Sequence, residues 1–201
     1  MNKHRTSKAL VATLLLTIGS IGAPVAHAAL NDRGGGLIYD GDLNITWLAD
    51  ANYADTSGYN TNGLMNWDAA NTWAANLNYG GFDDWRLSAS SEMEHLFYSE
   101  LDGVRGHNIA ITHNNANYNL FTNIQSGSVG AYWSGNSVDA DRAVAFAFQN
   151  GAEGAFNKAA GHYAWAVHSG DVGLVPEPET YAMILAGLGL VGFMARRQKN
   201  A

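Results

Sequence analysis

An α+β fold is predicted for the central part of this chain. Helix patterns come early, strand patterns come late, and tight-turn dipeptides separate the strands. Residues 36–40 and 43–48 read as two short strands around the Asp40-Gly41 turn. Residues 50–62 form a polar loop. Asn66 is placed to cap a helix over 67–78, because Trp67, Ala70, Trp73, Ala74 and Leu77 recur every three or four residues and make one apolar stripe. Gly80-Gly81 stops it.

Ser91 with Glu94 has the spacing of a capping box, which opens a second helix ending near Leu101. Met93, Leu96, Phe97 and Leu101 form its inner face. Residues 103–130 are long, Asn-rich and weakly patterned, the mark of a loop that carries function or mobility. Strand character returns at 131–134. Val144, Phe146 and Phe148 alternate with Ala145, Ala147 and Gln149, and Asn150-Gly151 is a hairpin turn. Tyr163, Trp165 and Val167 alternate again.

The two ends read as addresses. Lys3, Arg5 and Lys8 precede an apolar stretch over 9–21, and Ala26-His27-Ala28 supplies small residues for signal peptidase. Residues 1–28 are therefore expected to be a signal peptide cleaved between Ala28 and Ala29; an uncleaved anchor is the alternative. At the other end, residues 181–195 are apolar and uncharged, and Arg196, Arg197 and Lys199 follow. Fifteen helical residues span about 22 Å, short of a hydrocarbon core of about 30 Å. Tyr181 and snorkelling arginines make up much of the difference, so a transmembrane helix is expected there. The basic end stays in the cytoplasm, which puts 29–180 outside.

Before that helix stand Val175, Pro176, Glu177 and Pro178, whose prolines bar regular structure and leave an extended, accessible backbone. A Pro-Glu-Pro element, a short apolar helix and a basic tail over 175–201 resemble the PEP-CTERM sorting signal of Gram-negative bacteria. The resemblance implies recognition by an exosortase in the inner membrane, a transient membrane-anchored form, removal of the tail, and delivery to the cell surface or extracellular matrix. An ordinary anchor is the alternative.

Between the ends lies one domain, 29–174. Residues 29–175 hold five basic against sixteen acidic residues, a net charge of −11 that argues against nucleic-acid or anionic-polymer binding. The chain has no cysteine, which removes disulfides, thiol nucleophiles and Cys-zinc sites.

Leu37-Ile-Tyr-Asp40, Asn44-Ile-Thr-Trp47, Met65-Asn-Trp67-Asp-Ala-Ala70, Asp84-Trp85-Arg86-Leu87, Glu92-Met-Glu-His-Leu-Phe97, Tyr132-Trp133-Ser134, Phe146-Ala-Phe-Gln-Asn-Gly151 and Tyr163-Ala-Trp-Ala-Val167 combine into one pattern. It resembles the C-terminal domain of the Legionella collagen-like adhesin over about 36–171. Ser88 stands where that family usually has Pro, and His168 where many members carry Arg. The resemblance implies a compact C-type-lectin-like fold with two helices and a small antiparallel sheet, polysaccharide binding, and no catalysis.

Within the motif, Trp47, Trp67, Asp84, Trp85, Arg86, Leu87, Glu92 and Trp133 are expected to be structural. Trp85 fills the core and Arg86 pairs with a carboxylate such as Glu92 or Asp84. Tyr59 and Tyr118, in polar loops, are the candidates for stacking on sugar rings. Asp40, Asp42 and Asn44 begin like a calcium loop, but Ile45 replaces the Gly at its sixth position and Ala51 the Glu at its twelfth; solvated turn carboxylates are the plainer reading. No cofactor is expected beyond that weak calcium candidate. Neither a Gly-x-Ser-x-Gly elbow nor a His-Glu-x-x-His motif occurs, so a hydrolase is a remote alternative. The function expected is a non-catalytic surface or matrix protein that interacts with extracellular polysaccharide. The alternative is a structural matrix component assembling through protein contacts.

Overall fold

The computed structural model describes residues 30–113, 116–128, 130–173, 183–188 and 190. The signal-peptide residues Ala26, Ala28 and Ala29, the sorting residues Val175, Pro176, Glu177 and Pro178, and the basic Arg196, Arg197 and Lys199 lie outside them. The described residues form two sheets with short helices at their flanks, an α+β arrangement.

The first sheet has the order β1-β2-β3-β9-β4, built from β1 (Asn31–Asp32), β2 (Leu37–Asp40), β3 (Ile45–Leu48), β9 (Ala166–Ser169) and β4 (Trp85–Leu87). β2 and β3 are the expected hairpin, with Asp40 opposite Ile45. The turn closes because Asp40 Oδ1 accepts from the backbone N–H of Asp42 and Leu43, both at 3.1 Å, and Asn44 adopts φ +52°. β9 enters antiparallel between β3 and β4, so the end of the domain locks its beginning.

The second sheet has the order β7-β6-β5-β8, from β7 (Ala152–Asn157), β6 (Arg142–Ala147), β5 (Ala131–Ser137) and β8 (Tyr163–Ala164). β6 and β7 form the hairpin that Asn150-Gly151 announces, with Gly151 at φ +66°. The single alternating run expected over 163–167 is split. Residues 163–164 join β5 in parallel, residues 166–169 join the first sheet, and Trp165 is the corner between the sheets. Its indole N–H donates to the Leu48 carbonyl at 2.8 Å, and its ring meets Trp47, Phe121, Tyr132 and Phe148 at centroid distances of 5.2–5.5 Å.

α2 (Trp67–Ala75) starts where predicted: the Asn66 side chain accepts from the Ala69 N–H. It ends earlier than expected because Asn76 turns out of the helix and its amide donates back to the Thr72 carbonyl. Ala70, Trp73 and Ala74 are buried, and Trp67 is half-buried under the Lys158 ammonium. α3 (Ser90–His95) is capped at Ala89, not at Ser91. Glu92, rather than Glu94, reaches back to the Ala89 N–H at 2.7 Å. The inner face of Met93, Leu96, Phe97 and Leu101 is fully buried, as read. From Leu96 to Glu100, however, the helix widens into a π turn, closed by Leu101 N–H to the Leu96 carbonyl at 3.0 Å.

The polar loop 50–62 contains the short helix α1 (Tyr53–Thr56), and the Asn-rich segment contains α4 (Ile109–Thr112) and a 3₁₀ turn (Tyr118–Leu120). That segment is tied down at several points. Thr122 exchanges backbone hydrogen bonds with Ala49 and Ala51, Asn123 donates to Asp50, Asn108 donates to the Ser126 carbonyl, and the Gln125 N–H donates to the Tyr132 hydroxyl. Asparagine is frequent here because its amide supplies, over short reach, the bonds that a loop without a ladder lacks.

Residues 183–188 and 190 are helical, with Met183, Ile184, Leu185, Leu188 and Leu190 exposed. Among the described residues no helix is long and apolar enough to cross a membrane. The rest of the expected span 181–195 lies outside them.

Candidate functional site

The Asp84-Trp85-Arg86-Leu87 element is a structural clamp. Alternation on β4 turns Trp85 and Leu87 into the core and Arg86 toward α3. The Arg86 guanidinium makes a two-pronged bond to Glu92, at 2.9 and 2.6 Å, and the same carboxylate caps α3 through Ala89. The carboxylate raises the Arg86 pKa further, chiefly through these hydrogen bonds. Asp84 is exposed and takes no part in the pair. Trp47 and Trp133 are fully buried, and Trp133 donates to the Met65 carbonyl at 2.9 Å. Trp67 donates to the Ser134 carbonyl at 2.8 Å.

The two tyrosines proposed for ligand contact stand in different settings. Tyr59 is 56 % exposed and forms one wall of a pocket of about 330 Å³. Tyr53, Trp73 and Leu77 supply the rest of its apolar lining, and Ser57, Asn76 and Asn78 its polar edge. Tyr118 is stacked face to face on His113, with centroids 3.7 Å apart and planes at 12°. Burial raises its hydroxyl pKa. The His113 ring covers one face of the Tyr118 ring.

A second pocket, of about 270 Å³, lies between β5, β6 and the turn at Gly161 and is lined by Phe156 and His162. The His162 ring packs edge-on against Trp133 and Phe156, and both its nitrogens are buried without hydrogen-bond partners among the described residues. Desolvation lowers its pKa.

A third cluster gathers at the turn after β2. Asp40 is fully buried, and its Oδ2 faces His95 Nε2 at 3.9 Å. Asp42 Oδ2 lies 4.0 Å and Glu100 Oε1 3.3 Å from the same nitrogen. Burial, then the charge of Asp40, raises the Glu100 pKa. Asn44 points elsewhere; its side-chain oxygen accepts from the Tyr39 hydroxyl at 3.0 Å. His95 and Glu100 were not singled out from sequence. In an α-helix, residues five apart sit roughly 140° apart around the axis, so nothing in a 3.6-residue period joins them. The π turn does.

Comparison with known proteins agrees with both resemblances read from the sequence. No curated protein matches the chain. The PEP-CTERM protein-sorting motif matches residues 174–198, which marks the chain as an exported protein sorted by an exosortase. The Lcl C-terminal domain matches residues 36–168, the span that holds both sheets from β2 to β9, the Arg86–Glu92 clamp and the Tyr59 pocket, and the chain therefore belongs to the Lcl C-terminal domain family.

Proposed function

We propose that this is a non-catalytic module of the cell surface or extracellular matrix that binds neutral extracellular polysaccharide in the pocket walled by Tyr59, Tyr53 and Trp73. The observation that carries the reading is the composition of that pocket: aromatic rings beside two exposed asparagines, Asn76 and Asn78. Pyranose rings present one C–H-rich face and an edge of hydroxyls. Aromatic faces suit the first, and carboxamides, which both donate and accept, suit the second. The adhesin-like family and the sorting motif are consistent with such a role outside the cell. A net charge of −11 over 29–175, from five basic and sixteen acidic residues, favours neutral over anionic polymers. A lectin-like description of the fold belongs to the same proposal, as does the absence of catalysis.

The test is co-sedimentation of the folded protein with neutral polysaccharides and with the polymer of the producing cells. Binding that Tyr59→Ala and Asn78→Ala weaken supports the reading. Failure to bind any of them, with the fold intact, contradicts it.

One feature favours a second reading, a matrix component that assembles through protein contacts. Among the described residues β7 is one of the two edge strands of its sheet, and it exposes Phe156 at 41 %. An open edge with an apolar side chain is a template for pairing with another strand. Concentration-dependent self-association without sugar, reduced by Phe156→Lys, would favour this alternative.

A further inference from the structure

We propose that Asp40, Asp42, His95 and Glu100 form a binding site for one divalent transition-metal ion of the zinc class, which staples the β2–β3 turn to the end of the α3 helix. Each of Asp40, His95 and Glu100 offers a ligand atom within 4.8 Å of those of the other two. From His95 Nε2, the carboxylate oxygens of Glu100, Asp40 and Asp42 stand at 3.3, 3.9 and 4.0 Å. Two ligands bound at about 2.1 Å to one ion lie at most about 4.2 Å apart, and about 3.4 Å apart in a tetrahedral site. The three distances fall inside that limit, and small rotations of the carboxylates bring the set together.

The second observation is what stands buried there. Asp40 is fully buried, and its Oδ2, aimed into the cluster, has no hydrogen-bond partner among the described residues; His95 Nε2, 3.9 Å from it, stands beyond hydrogen-bond reach and instead contacts Glu100 Oε1 at 3.3 Å. A carboxylate oxygen withdrawn from water and left unbonded costs free energy, so such an atom calls for a ligand. A metal ion satisfies it and takes the neighbouring imidazole nitrogen as a second ligand. The surrounding bonds fit donors held in place for it. Asp40 Oδ1 is fixed by two backbone N–H groups, and Asn117 donates to both the carbonyl and Oε2 of Glu100. The π turn brings Glu100 beside His95, a placement often found where helices carry a site. Asp42, at the partly open side of the cluster, gives the ion its way in.

The donor set selects the metal. Calcium takes six to eight oxygen ligands, whereas one imidazole with carboxylates suits zinc and its neighbours. Asn44, engaged with Tyr39, is not a ligand. In an exported chain without cysteine, the ion supplies the cross-link that a disulfide supplies elsewhere.

Equilibrium dialysis of the full-length, chelator-stripped protein against ZnCl₂ and, separately, CaCl₂, with metal quantified by mass spectrometry, tests this. One zinc per chain is expected, with an unfolding midpoint that rises on addition of zinc. His95→Gln and Glu100→Gln are expected to weaken zinc binding by at least about tenfold. Near-ultraviolet circular dichroism reports whether those variants fold. If they do not, Co²⁺ absorption by the wild-type protein reads the site directly, the ligand-field bands of a four-coordinate nitrogen–oxygen set being the expected result. No retained zinc, calcium bound in preference to zinc, zinc binding unchanged in His95→Gln, or a Co²⁺ spectrum identical to the hydrated ion would overturn the proposal.

Discussion

The aromatic junction at Trp165 and the acidic corner at Asp40 are both withdrawn from water, and they treat their polar atoms in opposite ways. At the junction, the Trp165 and Trp133 indoles donate to the Leu48 and Met65 carbonyls, and the Tyr132 hydroxyl accepts from Gln125. Only Trp47 Nε1 among these rings lacks a partner among the described residues. At the corner, Asp40 Oδ2 is left unbonded, and two further carboxylates crowd His95 Nε2, Glu100 at 3.3 Å and Asp42 at 4.0 Å. The fold thus draws its stability from the junction, while the unbonded Asp40 oxygen at the corner costs it some.

The largest expected effect falls on the junction. Trp165→Ala removes the corner between the two sheets and should destabilise the domain by about 3–5 kcal/mol in urea unfolding. A loss near zero would mean that the sheets do not depend on each other. Next comes the clamp. Glu92 serves both the Arg86 fork and the α3 cap, so Glu92→Ala should cost about 2 kcal/mol. Glu92→Gln, which keeps an acceptor for the Ala89 N–H, should cost less.

At the corner the sign reverses. Without metal, Asp40→Asn keeps the acceptor that closes the turn and removes a buried charge; it should raise stability by up to about 1 kcal/mol. Strong destabilisation by this variant in metal-free protein would break the contrast. His162 gives a smaller, pH-dependent effect. Its folded-state pKa lies below the ordinary 6.5, so the unfolded chain takes up the proton first. The stability tied to neutral His162 is present above pH 6.5 and is lost as pH falls through the folded pKa. Unfolding midpoints measured down the pH scale should show this decline, and His162→Phe should flatten it. The smallest effect belongs to the rim: Tyr59→Ala should change stability by no more than about 0.5 kcal/mol, because the ring is already largely exposed.

Much of the frame was legible in the residues. The Asp40-Gly41 turn marked β2 and β3, which are buried almost throughout, and period-3.6 patterns marked α2 and the inner face of α3, because each helix buries one side. The Arg86–Glu92 pairing was legible too, as one of two named possibilities, since a strand residue and a capping glutamate six positions on meet across a tight connection. The corner at Trp165 was not. An alternating run looks the same whether it stays in one sheet or crosses between two, and only the pairing partners decide. The acidic corner was half seen: Asp40 and Asp42 lie together in sequence, whereas His95 and Glu100 join them through a π turn that no helical period announces. The pocket at Tyr59 was represented by one residue, because Tyr53 and Trp73 reach it from α1 and α2.

The most direct test of the glycan-binding account is a titration of the tyrosine-labelled protein with a neutral polysaccharide, followed by the ring signals in carbon–proton correlation spectra. Saturable shifts are expected at Tyr59 and Tyr53, with the buried Tyr132 unmoved. Unchanged Tyr59 and Tyr53 signals, in a protein that nonetheless binds the polymer, would contradict it.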